Sequence, residues 1–357
     1  MSAAPQRTSW QQTLQAAWLK RGWLACTLWP LSLIFSALVR LRLRLFHWGW
    51  LRSTASAVPV WVVGNVVVGG AGKTPTVLAL HQWLVQQGRT PGIVSRGYGG
   101  RAEGVQEVMP DSSAADVGDE PLLLKLRSQV PVFVGRDRVA AVQALLSAHP
   151  EVDIIISDDG LQHVRLKRDL QIIVFDARGA GNGWLLPAGP LRQPLPREVP
   201  RRSVVVYNCE QASTPLPGCM ATSQISGAVE WSAWRAGKPA TAQALSSLAV
   251  FSQQQPLWAA AGIAQPERFF NMLRKSGLNI KPLPLPDHHD FATLPWPLDA
   301  TDVAITEKDA VKLNRANHGQ TRVWVVPLDL RWKNDLDLVL GQALEHNLRH
   351  RTLQRLP

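Results

Sequence analysis

The chain has 357 residues, 46% of them hydrophobic, and a formal net charge of +11 from 38 basic and 27 acidic side chains. Length and composition suit a folded protein of about two ordinary domains and exclude a disordered or low-complexity chain. The three cysteines, Cys26, Cys209 and Cys219, have neither zinc spacing nor a disulfide framework, which fits a cytosolic, reducing setting for the soluble part.

The charge sits at one end. Residues 1–102 carry eleven Lys and Arg and no acid, so the rest of the chain is neutral, with 27 charges of each sign. Basic arms can bind nucleic acid. Here, however, seven of the eleven lie in the first 52 residues, around Trp23–Val39, a run of 17 residues without a charge. That interleaving points to a membrane surface and away from nucleic acid. As a helix the run would be roughly 26 Å long, just short of a ~30 Å hydrocarbon core. Six of the fifteen tryptophans fall between Trp10 and Trp50, and such rings suit the headgroup zone. Residues 1–52 are therefore expected to be a retained basic and apolar anchor, peripheral or monotopic, in the cytoplasmic leaflet. A buried core helix with a basic rim is the alternative.

The apolar run Val58–Val63 leads into Gly64-Asn65-Val66-Val67-Val68-Gly69-Gly70-Ala71-Gly72-Lys73-Thr74-Pro75. A strand, a glycine-rich loop and a helix start in that order form a phosphate cradle, because glycines let backbone N–H groups converge and the helix dipole adds to them. Gly69, Gly70, Ala71, Gly72, Lys73, Thr74 and Pro75 are the expected nucleotide contacts. Lys73 would reach the β- and γ-phosphates, and the Thr74 hydroxyl would join an Mg²⁺ shell. Val67 stands where the general pattern has its first glycine.

Helical spacing follows over 76–87, 121–129 and 138–148, and short β-branched runs over 91–95, 130–134, 152–157, 170–175 and 203–207. The alternation predicts an α/β fold with a mostly parallel sheet covered by helices. The Pro-rich 187–200 and the Ser/Thr/Gly/Pro-rich 211–227 interrupt it, so a core domain is expected over 53–215 and a smaller α/β domain over 216–357. Strands in the latter are read at 257–262, 280–285, 302–306 and 322–326, with a helix at 267–276.

Four further runs carry candidate chemistry. Ile154-Ile155-Ile156-Ser157-Asp158-Asp159-Gly160 is a buried strand ending in two carboxylates, the form of a metal-organising Walker B element. Gln162 and His163 follow and can reach the same cleft. Ser95-Arg96-Gly97-Tyr98-Gly99-Gly100 offers Arg96 as a guanidinium fork for an anionic substrate. Gly118-Asp119-Glu120-Pro121 starts a helix, where Asp119 reads equally as an N-cap or as a catalytic carboxylate. In Asp287-His288-His289-Asp290 a general base is the better reading than zinc, since no further ligand lies at metal spacing. Thr306-Glu307-Lys308-Asp309 does not meet the guanine-reading Asn-Lys-x-Asp pattern.

These runs, with Pro187-Ala188-Gly189-Pro190-Leu191-Arg192 and in this order, resemble the tetraacyldisaccharide 4′-kinases of lipid A synthesis across nearly the whole chain. The resemblance implies a P-loop NTPase-like domain hinged to a smaller C-terminal domain with ATP in the cleft between, and an N-terminal membrane-associated helix. It implies transfer of the γ-phosphate to the 4′-hydroxyl of an acylated glucosamine disaccharide 1-phosphate, giving lipid IVA at the inner membrane. It also implies that Lys73 and Thr74 hold triphosphate and Mg²⁺ and that Asp158 and Asp159 organise the metal. Asp119 and a histidine of the Asp-His-His run, His288 in preference to the alternative His289, would form the base dyad, and Arg96 and Arg192 would stabilise phosphate charge. Two positions depart from the family: Val67 replaces a small hydroxyl residue, and Gln193 a glutamate. A membrane-bound partitioning ATPase would share the loop, but its signature lysine is Val68 here.

Overall fold

A computed structural model describes residues 10–101, 103–287, 289–313 and 320–355; His288 lies outside them. The first part of the chain runs α1 (Trp10–Ala17), α2 (Trp23–His47), β1 (Val60–Gly64), α3 (Lys73–Gln86), β2 (Pro91–Ser95), β3 (Val105–Glu107) and α4 (Ala114–Val117). It continues through α5 (Asp119–Ser128), β4 (Val132–Gly135), α6 (Arg138–Ala148), β5 (Ile154–Asp158), β6 (Leu170–Phe175), β7 (Ser203–Asn208) and β8 (Cys219–Ile225). The second part runs β9 (Val229–Glu230), α7 (Trp231–Arg235), α8 (Ala242–Gln254), β10 (Leu257–Ala261), α9 (Pro266–Lys275) and β11 (Ile280–Pro284). It ends with β12 (Asp302–Thr306), α10 (Glu307–Ala310), β13 (Arg322–Val326), β14 (Leu328–Trp332) and α11 (Asn334–Arg355).

Two sheets result. The larger has nine strands in the order β14-β8-β7-β6-β1-β5-β2-β4-β3, and the smaller has five in the order β11-β10-β12-β13-β9. The pairs β8–β14, β3–β4 and β9–β13 are antiparallel and the others parallel. Strands β1, β2 and β5 are buried at every residue, as parallel strands covered on both faces must be. The register pairs Val63 with Asp158, so the strand that feeds the glycine loop and the strand that ends in carboxylates finish side by side. The chain leaves β1 in one direction toward β2 and reaches β6 on the other side, and such a switch point opens a crevice at the carboxyl ends.

The chain path corrects the expected division at residue 216. It leaves the larger sheet only after Ile225 and returns to it at Leu328. Strand β8 escaped detection because Cys219-Met-Ala-Thr-Ser-Gln-Ile225 has little β-branched apolar content, and β14 because it follows β13 after one residue, Pro327. Helix α3 begins at Lys73, three residues earlier than the apolar spacing predicted.

Helix α2 is longer than its apolar run, at 25 residues, and is long and apolar enough to cross a membrane. Only 11% of its most apolar window is buried, which excludes the core-helix alternative. Trp23, Ile34 and Leu38 are exposed, whereas Ala25 and Ser32 face the protein.

The loop geometry explains two of its glycines differently. Gly72 has φ +88°, and a Cβ there would run into the Asn208 amide; Gly70 has an ordinary φ and nothing within 4 Å. Gly72→Ala should cost about 1–3 kcal/mol of stability and Gly70→Ala under about 0.5 kcal/mol, measured by denaturant unfolding. On α3, burial holds the His81 imidazole down to about 4. Above pH 6.5 both folded and unfolded states leave it neutral. Between 6.5 and 4 only the unfolded chain takes the proton, so stability falls as pH drops, by about 3 kcal/mol in full. A folded His81→Leu variant should show a flatter stability profile over that window.

Candidate active site

The glycine loop is held from inside and from behind. Asn65 is fully buried at the end of β1; its Nδ2 donates to the Gly69 carbonyl at 3.0 Å, and its Oδ1 accepts from Lys73 Nζ at 3.4 Å. Behind the loop runs the strap 182–192. Its Pro190 carbonyl accepts from Val68 N–H at 2.9 Å, and its Arg192 N–H donates to Val66 at 2.8 Å. Arg178, which sequence reasoning missed, donates to the Gly70 carbonyl at 2.9 Å and is itself held by Asp176 at 2.8 Å. Gly69, Gly70, Gly72, Lys73, Thr74 and Pro75 line the cavity in front, whereas Ala71 is fully buried in the core behind it. Val67, 3% exposed, packs in the apolar cluster with Leu161 and Leu191. Its side chain belongs to the core, so a hydroxyl there is not missed by the cavity wall.

The two carboxylates at the end of β5 behave differently. Asp158 is buried and accepts from the Ser95 hydroxyl at 2.9 Å, while its Oδ1 has no hydrogen-bond partner among the described residues. Burial, reinforced by Glu120 and Asp159 and opposed by Lys73 and the Ser95 bond, pushes its carboxyl up to about 7. Asp159 has φ +48° and turns toward cations: Lys73 Nζ lies 3.6 Å away and Arg192 contacts both of its oxygens at 3.2 Å. Burial would raise its carboxyl, but Lys73, Arg192 and Arg138 outweigh that and hold it below its usual value. Arg138, 2% exposed and not singled out by sequence, donates to the Gly135 and Asp158 carbonyls at 2.6 and 3.3 Å. Burial lowers its guanidinium to about 10. Its only signal was its place at the start of α6 just after β4.

Thr74 and Asp159 line the cavity, while Asp158 lies in the adjoining recess with one buried oxygen unpartnered among the described residues. Hard oxygens of this kind are the donors Mg²⁺ takes. No group of three or more His, Cys, Asp and Glu assembles as a metal site among the described residues.

Several of the remaining candidates line one cavity of about 1130 Å³. Its wall includes Arg96, Arg192, His163 and Gln193, and on the smaller sheet's side Thr306, Glu307 and Lys308. Gln162 lines it too, but its Nε2 is spent on the Asn65 carbonyl at 3.1 Å, so it holds the loop. Burial, Arg138, Arg165 and Arg42 lower the His163 imidazole against an opposing Asp137. Asp119 does not cap α5: Gly118 stands at the N-cap, and Asp119 with Glu120 lines a small recess beside Ser95 and Asp158. Lys312 Nζ lies 3.7 Å from Asp119 and Lys308 Nζ 3.1 Å from Glu120, linking the two sheets across the cleft. His289 accepts the Phe291 N–H at Nδ1, 3.1 Å away, and packs edge-on to the Phe291 ring. Its neutral form must then carry its proton on Nε2 and has no free basic nitrogen.

The far end of the cavity is made by the N-terminal helices, through Trp18, Phe35, Val39, Arg42 and Leu43. These helices dock on the strap. Trp18 Nε1 donates to the Pro187 carbonyl at 2.8 Å, Arg21 to Asn182 at 3.1 Å and the Ser32 hydroxyl to Leu185 at 2.7 Å. Arg21 also lies over the Trp184 ring, 5.1 Å from its centroid. One cavity thus runs from an apolar helix, past arginines, to a phosphate-type loop.

Comparison with known proteins agrees with this arrangement. The family described as Tetraacyldisaccharide-1-P 4'-kinase matches residues 24–345. A tetraacyldisaccharide 4'-kinase of Leptothrix cholodnii is 54% identical over 319 residues, 88% of this chain and 90% of that one. One from Janthinobacterium sp. (strain Marseille) is 46% identical over 356 residues, 98% and 99% of the respective chains. A crystal structure of LpxK from Aquifex aeolicus in complex with ATP superposes with a TM-score of 0.74 at 26% identity, covering 91% of this chain and 99% of that one. A phosphate-type loop, paired carboxylates, an apolar helix along the same cavity and near full-length similarity converge: the chain belongs to the tetraacyldisaccharide-1-phosphate 4′-kinase family.

Proposed function

We propose that the chain transfers the γ-phosphate of ATP to the 4′-hydroxyl of an acylated glucosamine disaccharide 1-phosphate lying in the cytoplasmic leaflet of the inner membrane. The continuous cavity from α2 to Lys73 carries this reading, because it offers an apolar wall for acyl chains and a phosphate cradle to one substrate pair. The exposed apolar face of α2 keeps the enzyme where that lipid resides, so the sugar is met without extraction into water.

In this reading the backbone of Gly69 to Thr74 and the α3 N-terminus cradle the triphosphate, and Lys73 neutralises its β- and γ-oxygens. Mg²⁺, held by Thr74, Asp158 and Asp159, would supply further charge neutralisation. The unpartnered Asp158 oxygen supports this reading, since a cation beside it would satisfy that atom and favour its ionised form. Arg192, held against Asp159, and Arg96 at the cavity wall face the transferring phosphoryl or the anionic sugar. Asp119 orients a histidine that takes the proton from the 4′-hydroxyl. His288 is the base in this assignment, because the Nδ1 of His289 is committed to Phe291. Alignment of the hydroxyl with the γ-phosphate supplies most of the acceleration, as is usual for phosphoryl transfer.

The test is transfer of label from γ-labelled ATP into the lipid fraction by detergent-solubilised protein. Lys73→Ala should abolish it. Asp119→Asn and His288→Ala should each lower kcat on the order of 10²- to 10⁴-fold, with His289→Ala the milder change. ATP hydrolysis without lipid label would overturn the kinase assignment, and an active His288→Ala beside a dead His289→Ala would overturn the choice of base. Weakening the N-terminal segment's hold on the strap by Ser32→Ala with Trp18→Phe should lower lipid turnover while leaving the affinity for ATP within about twofold, read by nucleotide titration.

A further inference from the structure

Lys312 is 6% exposed and has no place in the proposed phosphoryl chemistry, yet its ammonium joins three separate segments. It donates to the His289 carbonyl at 2.9 Å, lies 3.3 Å from Asp309 Oδ1, and reaches Asp119 Oδ2 at 3.7 Å. Asp309 is wholly buried and already fixed: its Oδ2 accepts the Gly262 N–H at 3.0 Å and the Thr306 hydroxyl at 2.7 Å. The ammonium is thus tied through Asp309 to the carboxyl edge of β10 and β12, and it also reaches a loop and Asp119 beside the other sheet.

That loop, between β11 and β12, has no helix or strand among its described residues and cannot be positioned by a backbone ladder. Its anchors are side chains. Phe291, at φ +54° and 1% exposed, wedges beside Trp296 and His289, and Lys312 holds the His289 carbonyl while lying 5.6 Å from the Phe291 ring centroid. An ammonium has three tetrahedrally arranged donors and can address three oxygens that share no plane, whereas arginine's donors all lie in one.

We propose that Lys312 is a positioning residue for phosphoryl transfer, holding the Asp-His-His loop of the smaller sheet against Asp119 of the larger one. The proposal rests on the assignment of Asp119 to the base dyad. Misplacement of a base loop by about 1 Å is enough to lose on the order of 10²-fold in rate, whereas the glycine loop, which Lys312 does not touch, keeps its nucleotide affinity.

The experiment measures kcat, KM for ATP and amide exchange over 286–292 for Lys312→Met in the full-length, detergent-solubilised enzyme. Lys312→Met with Asp309→Asn is studied in parallel, so that the buried carboxylate is not left charged and unpaired. The expected result in both is a kcat lower by on the order of 10²-fold, a KM for ATP within about twofold, and faster exchange confined to the loop. An unchanged kcat in either folded variant, or a loss carried by KM for ATP, overturns the proposal. Asp119→Asn separates the two readings: full activity there removes the dyad itself, whereas an inactive Asp119→Asn beside an active Lys312→Met removes only the role of Lys312.

Discussion

Two adjacent carboxylates at the end of a buried strand repel each other, and the surroundings of Asp158 and Asp159 are arranged around that conflict. One is turned by a left-handed backbone toward Lys73 and Arg192 and stays ionised. The other keeps one oxygen on Ser95 and leaves the second without a partner, with its carboxyl pushed to about 7. The pair therefore resolves into a carboxylate paired with cations and a buried carboxyl with one oxygen unpartnered among the described residues. A site built this way orders its lysine and arginine before nucleotide arrives, which lowers the reorganisation needed at the moment of transfer.

The same loop is tied to the N-terminal helices. The strap 182–192 bonds to Val66 and Val68 on one side and to Trp18, Arg21 and Ser32 on the other. Side chains that dock the anchor and backbone that shapes the phosphate cradle thus belong to one short segment.

Across the cleft, helix α5 serves as the meeting edge of the two sheets. Its first turn carries Asp119 and Glu120 to Lys312 and Lys308, and its last turn carries Arg127 to Glu307 and Asp329 at 2.6 Å each. Trp234 Nε1 donates to Glu307 at 3.0 Å, so this buried carboxylate has its lone pairs engaged. The pairs to Lys312, Lys308 and Glu307 cross between the two sheets, whereas Asp329 belongs to β14 of the larger one.

The local chemistry was legible in the chain because it depends on contiguous residues. A strand, three glycines, a lysine and a threonine give a turn into a helix N-terminus beside the cavity; an apolar strand ending in Asp158-Asp159 presents acids at a sheet edge; 17 uncharged residues among arginines fold as an exposed apolar helix. Tertiary structure alone decided what long-range pairing controls. Strands β8 and β14, 103 residues apart from Ile225 to Leu328, pair in the larger sheet although neither is conspicuous in sequence. Val67 turned out to be core, Gln162 a brace for Asn65, and Gly118 the cap that leaves Asp119 to face the cleft. Arg138, Arg178 and Lys312 gained their places through partners 20, 108 and 193 residues distant, respectively. Periodicity and motif spacing report on neighbours along the chain, whereas burial and ion pairing are properties of neighbours in space, and these exist only once the sheets have formed.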